Sequence, residues 1–128
     1  LRIYPNGHFE ISDEYALKTS LIEKEDNFNE KGCIYIDFGK VNGSLTVRKR
    51  KDGDRMIPYG MSGSKKIKQI FNELKIPSEK RDGVPILADE NNIVAIIPYR
   101  VSDLYKVTKE TKKTLKIQYI RRFENGTK

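Results

Sequence analysis

Apolar residues recur at every second position over several short stretches of the chain, and at helical spacing over one. "CIYIDF" (33–38) alternates and is rich in β-branched and aromatic residues, which predicts a strand. "SLTVRKR" (44–50) alternates again, with Leu45 and Val47 on one face and Thr46 and Arg48 on the other, so the predicted strand has a basic face. "PILAD" (85–89) and "NIVAII" (92–97) are denser apolar runs joined through the polar "ENN", which predicts a hairpin. "LKIQYI" (115–120) predicts a closing strand. At the other end of the chain, the turn signal Pro5-Asn6-Gly7 separates two short apolar runs. It predicts a hairpin of residues 1–4 with residues 8–11. "EYALKTSLIE" (14–23) fits strand and helix alike.

Ile67, Ile70, Phe71 and Leu74 fall at i, i+3, i+4 and i+7, one face of a helix. Ser64 is its expected N-cap, and Pro77 stops it because the residue before proline is pushed out of the helical region. "PSEKRDGVP" (77–85) reads as a turn or a single helical turn, and "SDLYKVTKETKKT" (102–114) as a polar segment with one helical turn at most. "EDNFNEKG" (25–32) reads as a loop and "RRFENGTK" (121–128) as a frayed tail. Six or seven strands with one clear helix make an α+β fold with mostly antiparallel pairing.

Length and charge sharpen this picture. The 128 residues suit one domain with its own core, and 37% hydrophobic against 34% charged residues suits a charge-rich globular chain. No apolar run approaches the roughly 20 residues of a membrane span, so no membrane partner is expected. The chain opens on Leu1 and reads as a fragment of a longer protein. Its net charge of +7 is unevenly spread. Residues 1–47 carry five basic and eight acidic side chains, net −3; residues 48–75 carry nine and three, net +6; residues 76–128 carry eleven and seven, net +4. A concentrated basic excess that begins at "RKRK" (48–51) points to a polyanionic partner, nucleic acid before others.

Catalytic chemistry finds little support. Cys33 is the single cysteine and His8 the single histidine. They stand in separate segments, Cys33 in an expected strand and His8 in an expected turn, so neither a thiol–imidazole pair nor a zinc set is predicted. One cysteine also fits a reducing compartment and a cytoplasmic location.

The remaining candidate is the glycine-rich stretch "DGDRMIPYGMSGSKKIKQIF" (52–71). It is not a Walker loop, because Gly63 is followed by Ser64 rather than by lysine and then Ser/Thr. A looser anion site is expected where the helix begins. Lys65, Lys66 and Lys68 would crowd the positive end of the helix dipole, a conflict of roughly 0.3–1 kcal/mol that a docked phosphate removes. The plainer readings are structural. Gly60 and Gly63 would supply positive φ, Asp54 would pair locally with Arg55, and Met61 would anchor the loop in the core.

At this point the residues "YIDFGKVNGSLTVRKRKDGDRMIPYGMSGSKKIKQIFNELKIPSEKRDGVPILADENNIVAIIPYRVSDLYKVTKETKKTLKI" resemble the C-terminal region of tRNA(Ile)-lysidine synthase. The shared features are R-x-R-x-x-G-D-R-x-x-P-x-G, the helix start G-x-K-K-[IL]-K, the turn K-I-P-x-x-x-R, and a later R-[IV]-S. The match runs over about residues 33 to 118. Asp52, Ala95 and Pro98 stand where proline, tryptophan and glycine are common in that family; every basic residue of the central motif is in place. The resemblance implies residues 1–32 as an N-terminal extension or first strands, residues 33–120 as the tRNA-binding domain, and residues 121–128 as a tail. It implies a compact β-sandwich-like core with an added helix, similar to a domain of the phenylalanyl-tRNA synthetase β chain.

The family enzyme converts the wobble cytidine of an isoleucine tRNA with a CAU anticodon to lysidine, using lysine and ATP with magnesium. That chemistry belongs to an N-terminal domain with an S-G-G-x-D-S phosphate loop, a motif this sequence does not contain. The resemblance therefore implies a ligase as the parent protein. It implies no catalytic residue, cofactor or metal in this stretch, and a role in holding the tRNA body or acceptor stem. The candidate RNA-binding residues are Arg48, Arg50, Arg55, Lys65, Lys66, Lys68, Arg81 and Arg100. For Arg55 and Arg81 the competing reading is a scaffold ion pair with Asp54 or Asp82. Two other readings stand beside RNA binding. One is a structural or dimerisation module, with "IVAIIP" as a sheet edge between the subunits of a homodimer. The other is a free-standing enzyme.

Overall fold

The computed structural model describes residues 1–23 and 30–122. Along the chain the described elements are β1 (Arg2–Ile3), β2 (His8–Glu10), β3 (Tyr15–Glu23), β4 (Cys33–Asp37), β5 (Leu45–Arg48), β6 (Arg55–Met56), β7 (Lys65–Lys66), α1 (Ile67–Glu73), β8 (Ile86–Ala88), β9 (Ile93–Ile96), β10 (Arg100–Val101) and β11 (Lys113–Arg121). Short 3-10 segments lie at Phe38–Lys40, Ser78–Gly83 and Asp103–Tyr105. One sheet has the order β1-β5-β8-β9-β10, a second β2-β3-β11-β4, and β6 and β7 form a separate two-stranded ribbon. Every pairing between these strands is antiparallel. The architecture is the expected one, a mostly antiparallel sandwich with one α-helix.

The long strand β11 organises the four-stranded sheet. Leu115 lies between Leu21 and Ile36, and Ile117 between Thr19 and Ile34. That register settles the ambiguous segment 14–23 as a strand, because a nine-residue partner satisfies its backbone groups along its whole length. Side chains from the inner faces of both sheets, among them Ile3, Leu17, Ile36, Val47, Leu87, Val94, Leu115 and Ile117, make the larger core. A smaller core fills the opposite face of the five-stranded sheet. There Ile86, Ile93 and Ile96 meet Ile67, Ile70 and Phe71 of α1, with Met56 and Ile76. The middle strands are thus covered on both faces, which is why β8 and β9 read as unbroken apolar runs rather than as alternation.

Five expectations are corrected. Residues 1–4 and 8–11 do not pair with each other. β1 pairs with β5 and β2 pairs with β3, so the Pro5-Asn6-Gly7 turn carries the chain from one sheet to the other. Thr19 Oγ1 holds that crossing, accepting from Gly7 N at 2.9 Å and donating to Tyr4 O at 2.6 Å. His8 accordingly lies on a strand, and its ring contacts Glu10 at 2.9 Å. Strand β9 is not an edge, being hydrogen-bonded to β8 on one side and β10 on the other. Met61 is 42% exposed and anchors nothing; the neighbouring apolar residue in the core is Met56, at 4%. The expected tail (121–128) starts later than its sequence suggests, since Arg121 closes β11 opposite Tyr15 and Arg122 N donates to Glu14 O at 2.8 Å; residues 123–128 and most of the loop at 25–32 lie outside the described residues.

Candidate nucleic-acid interface

Strand β5 delivers Arg48 to the start of the basic stretch, and a tight turn follows. Gly53 adopts φ +87°, where a side chain is disfavoured, and Asp54 N donates to Lys51 O at 3.1 Å. Asp54 then accepts two hydrogen bonds from the Arg48 guanidinium, at 2.9 and 3.2 Å, and one from Lys51 N at 2.7 Å. Burial pushes the Asp54 carboxyl up, but the Arg48 and Lys51 donors outweigh it and hold the group below the usual carboxylate range.

Arg50 and Arg81 reach this side from different segments and lie over one ring. Their guanidinium carbons are 5.6 and 5.8 Å from the centroid of Phe71, itself fully buried, within cation–π range. Arg50 Nε donates to Asp82 Oδ1 at 3.2 Å, and Arg81 Nε to Ile76 O at 2.8 Å. The expected pairs Asp54–Arg55 and Asp82–Arg81 therefore do not form. Asp54 is taken instead by Arg48, across the tight turn, and Asp82, in the 3-10 segment Ser78–Gly83, by Arg50.

Arg55 turns instead to Ser64. Its Nε donates to Ser64 Oγ at 3.0 Å and its terminal nitrogen to Ser64 O at 3.2 Å. Ser64 is thus not the helix cap. The β6–β7 pairing keeps residues 65 and 66 extended, Lys66 occupies the cap position with no side-chain bond, and α1 begins at Ile67. The Ile67 N–H donates to Asp54 O at 2.9 Å. Lys65 and Lys66 therefore precede the helix rather than crowd its first turn, and Lys65 Nζ pairs with Glu73 at 2.7 Å. Gly60 has the expected positive φ, and Gly63 does not.

The ribbon places Arg55 directly opposite Lys66, and both are exposed. Like charges facing each other across strands are unfavourable without an anion between them. Among the described residues, neither has a carboxylate partner, and the same holds for Lys68, Arg81 and Arg100. Arg48, Arg50 and Lys65 are at least partly neutralised by Asp54, Asp82 and Glu73. Arg100 lies on β10 with its guanidinium donating to Tyr99 O at 3.1 Å, and shares a concavity with Ile70 and Glu73 of the helix. Seven candidates thus gather around the 48–55 turn, the β6–β7 ribbon and α1, while Arg100 approaches from the far sheet edge.

Sequence reasoning missed the exposed rings beside Arg100. Tyr59 is 61% and Tyr99 45% exposed. The legible signal was the repeated Pro-Tyr pair, "PYG" at 58–60 and "PYR" at 98–100. Cys33 is half-buried on β4 with its thiol pushed up by burial, a poor nucleophile. No group of three His, Cys, Asp or Glu able to hold a metal occurs among the described residues. None of their helices is long and apolar enough to cross a membrane.

The fold and the basic face define a class of β-sandwich domain with one packed helix. It is similar to the crystal structure of an N-terminal fragment of the phenylalanyl-tRNA synthetase β-subunit from Pyrococcus horikoshii, with TM-score 0.61 and 18% identity over 72% of this chain and 29% of that one. Within that class, residues 45–119 match the family model of the TilS substrate C-terminal domain, and the chain belongs to that family. A solved TilS C-terminal domain superposes with TM-score 0.82 at 27% identity, covering 95% of both chains. The tRNA(Ile)-lysidine synthase of Clostridium tetani is 50% identical over 100 residues, 78% of this chain and 21% of the relative. That of Caldanaerobacter subterraneus subsp. tengcongensis is 43% identical over 99 residues, 77% and 21%. The chain spans about a fifth of the length of these relatives.

Proposed function

We propose that this chain is the tRNA-binding C-terminal part of a cytoplasmic tRNA(Ile)-lysidine synthase. It grips the tRNA body or acceptor stem while a separate N-terminal domain makes lysidine at the wobble cytidine from lysine and ATP with magnesium. The candidate interface is Arg48, Arg50, Arg55, Lys65, Lys66, Lys68, Arg81 and Arg100, and the tRNA is the isoleucine species with a CAU anticodon. The observation that carries the reading is the facing of Arg55 and Lys66 across the β6–β7 ribbon, two exposed cations with no carboxylate partner among the described residues. Phosphate contacts of this kind position an RNA without reading its sequence. The stretch therefore contributes affinity and geometry, and by itself neither forms lysidine nor turns over ATP.

Binding of tRNA to the isolated chain, measured by filter retention across a salt series, tests this. With about three to five phosphates neutralised, log K falls against log salt with a slope near −3 to −4. Affinity independent of salt, or no binding at low salt, overturns it.

A further inference from the structure

Between β4 and β10 the structure holds a cleft of about 740 Å³ on the side of Arg100 away from the helix. The volume is that of a ligand site rather than a surface wrinkle. Three tyrosines line it, Tyr35, Tyr59 and Tyr99, together with two cations, Arg100 and Lys109, and among the described residues no carboxylate does. Tyr59 and Tyr99 are exposed, and neither stacks on another aromatic ring of the described residues. Exposed tyrosine rings edged by cations are the surface an unpaired nucleotide uses: the base stacks and the phosphate meets the charge.

The backbone that carries the rings is also held in place. Tyr59 N donates to Val101 O at 3.0 Å, and the next residue, Gly60, donates its N–H to Asp103 Oδ1 at 3.0 Å with φ +81°. Lys106 pairs with the same Asp103 oxygen at 3.0 Å and lies over one face of the Tyr59 ring, 5.9 Å from its centre, which leaves the other face for a base. Tyr99 N is anchored to Ile96 O at 2.6 Å. The main chain under the platform thus needs little ordering when a base arrives.

Resting on the RNA-binding reading above, we infer that this cleft takes an unpaired nucleotide adjoining the gripped stem. Its base lies against Tyr59 or Tyr99 and its phosphate against Arg100. Arg100 joins the two surfaces, because it also lines the concavity that reaches Glu73 and, through it, Lys65.

Three RNA hairpins with one common stem decide the matter: a blunt-ended form, and forms with four unpaired nucleotides at the 5′ or the 3′ end. The chain is expected to bind at least one tailed hairpin more tightly than the blunt one, by about 5- to 150-fold for each stacked base. Of Tyr59→Ala and Tyr99→Ala, made separately, at least one reduces or erases that difference, and both leave blunt-hairpin affinity unchanged. Tyr59→Phe keeps it. Circular dichroism and thermal unfolding confirm that the exposed substitutions leave the fold intact. Equal binding of all three hairpins by the parent chain overturns the cleft and leaves the basic grip standing. A tail preference that survives both alanine variants also overturns it. No binding of any hairpin at low salt removes the grip and the cleft together.

Discussion

Arg48 and Asp54 form a two-pronged ion pair, with guanidinium nitrogens 2.9 and 3.2 Å from the two carboxylate oxygens, at the root of the basic stretch. The same carboxylate accepts the Lys51 N–H, so it closes the turn that presents Lys49 and Lys51 and leads into the β6–β7 ribbon. Arg48 thereby serves the scaffold before it serves any ligand. Replacing Asp54 by Ala leaves Arg48 and Lys51 N without their acceptor and is expected to cost about 1–3 kcal/mol of stability. Urea unfolding of the variant beside the parent measures it; an unchanged midpoint contradicts the role.

The acid side of the stability profile follows from the same pair and from Asp89. Burial raises the Asp89 carboxyl, but the Tyr105 hydroxyl and the backbone N–H groups of Asn42, Asn92 and Asn91 bring it lower still. Both carboxylates are depressed in the folded chain. Their contribution is full above the unfolded carboxylate value of about 4 and is lost as pH falls through the lower folded values. Unfolding free energy is expected to be level near neutrality and to drop below about pH 4. The drop is smaller in Asp54→Asn.

On the alkaline side Tyr105 contributes together with Tyr15, whose hydroxyl burial pushes up further still. For Tyr105, burial first, and then its hydrogen bond to Asp89 at 2.6 Å, push the hydroxyl up to about 12. A folded value raised above the unfolded one means stability present below about pH 10 and lost as pH climbs through about 12. Tyr105→Phe is expected to cost about 1.5–3 kcal/mol at pH 7 and to shrink the alkaline loss. Chemical unfolding at pH 7, 10 and 11 reads both effects.

Phe71 joins fold and interface. It is fully buried, and two of the candidate arginines rest over its ring. Phe71→Ala is expected to destabilise by about 3–5 kcal/mol and to weaken tRNA binding even where the variant remains folded, since Arg50 and Arg81 lose their platform. Phe71→Leu restores most of the stability but not the arginine placement, so its affinity stays below that of the parent. Parent-like affinity in Phe71→Leu contradicts the platform.

The lysines divide by their partners. Lys66 and Lys68 are exposed with no carboxylate beside them among the described residues, whereas Lys65 is engaged by Glu73. Lys66→Ala with Lys68→Ala is expected to leave unfolding unchanged and to flatten the salt slope of tRNA binding by up to about two units. Lys65→Ala flattens it less. A double variant that binds as the parent does at every salt concentration removes the ribbon from the interface.

Several elements were legible because their cause is local. The alternation of Leu45 and Val47 against Thr46 and Arg48 put the right side chains in the core. The spacing of Ile67, Ile70 and Phe71 identified the buried face of α1. The charge excess after residue 47 located the basic face, and the shared motifs identified the family before any coordinates did. A side chain's periodicity and charge travel with it wherever its segment lies, so a linear reading recovers them.

Partnership was decided only by the tertiary structure. Asn6 was recognisable as a turn residue, but whether its flanking strands meet each other or enter different sheets depended on β5 and β3, which lie 40 and 10 residues away. Asp54 and Asp82 were available to their neighbours Arg55 and Arg81, and went to Arg48 and Arg50, which the fold brings to 2.9 and 3.2 Å from them. Ser64 had the chemistry of a cap and lost the position to a two-residue ribbon that delays the helix. Tyr59 and Tyr99, 40 positions apart, became one cleft only when Pro58 bridged to Ser102. In each case competing partners were of similar chemistry, and the choice depended on which segments the folded backbone brought together, a relation that local spacing along the chain does not carry.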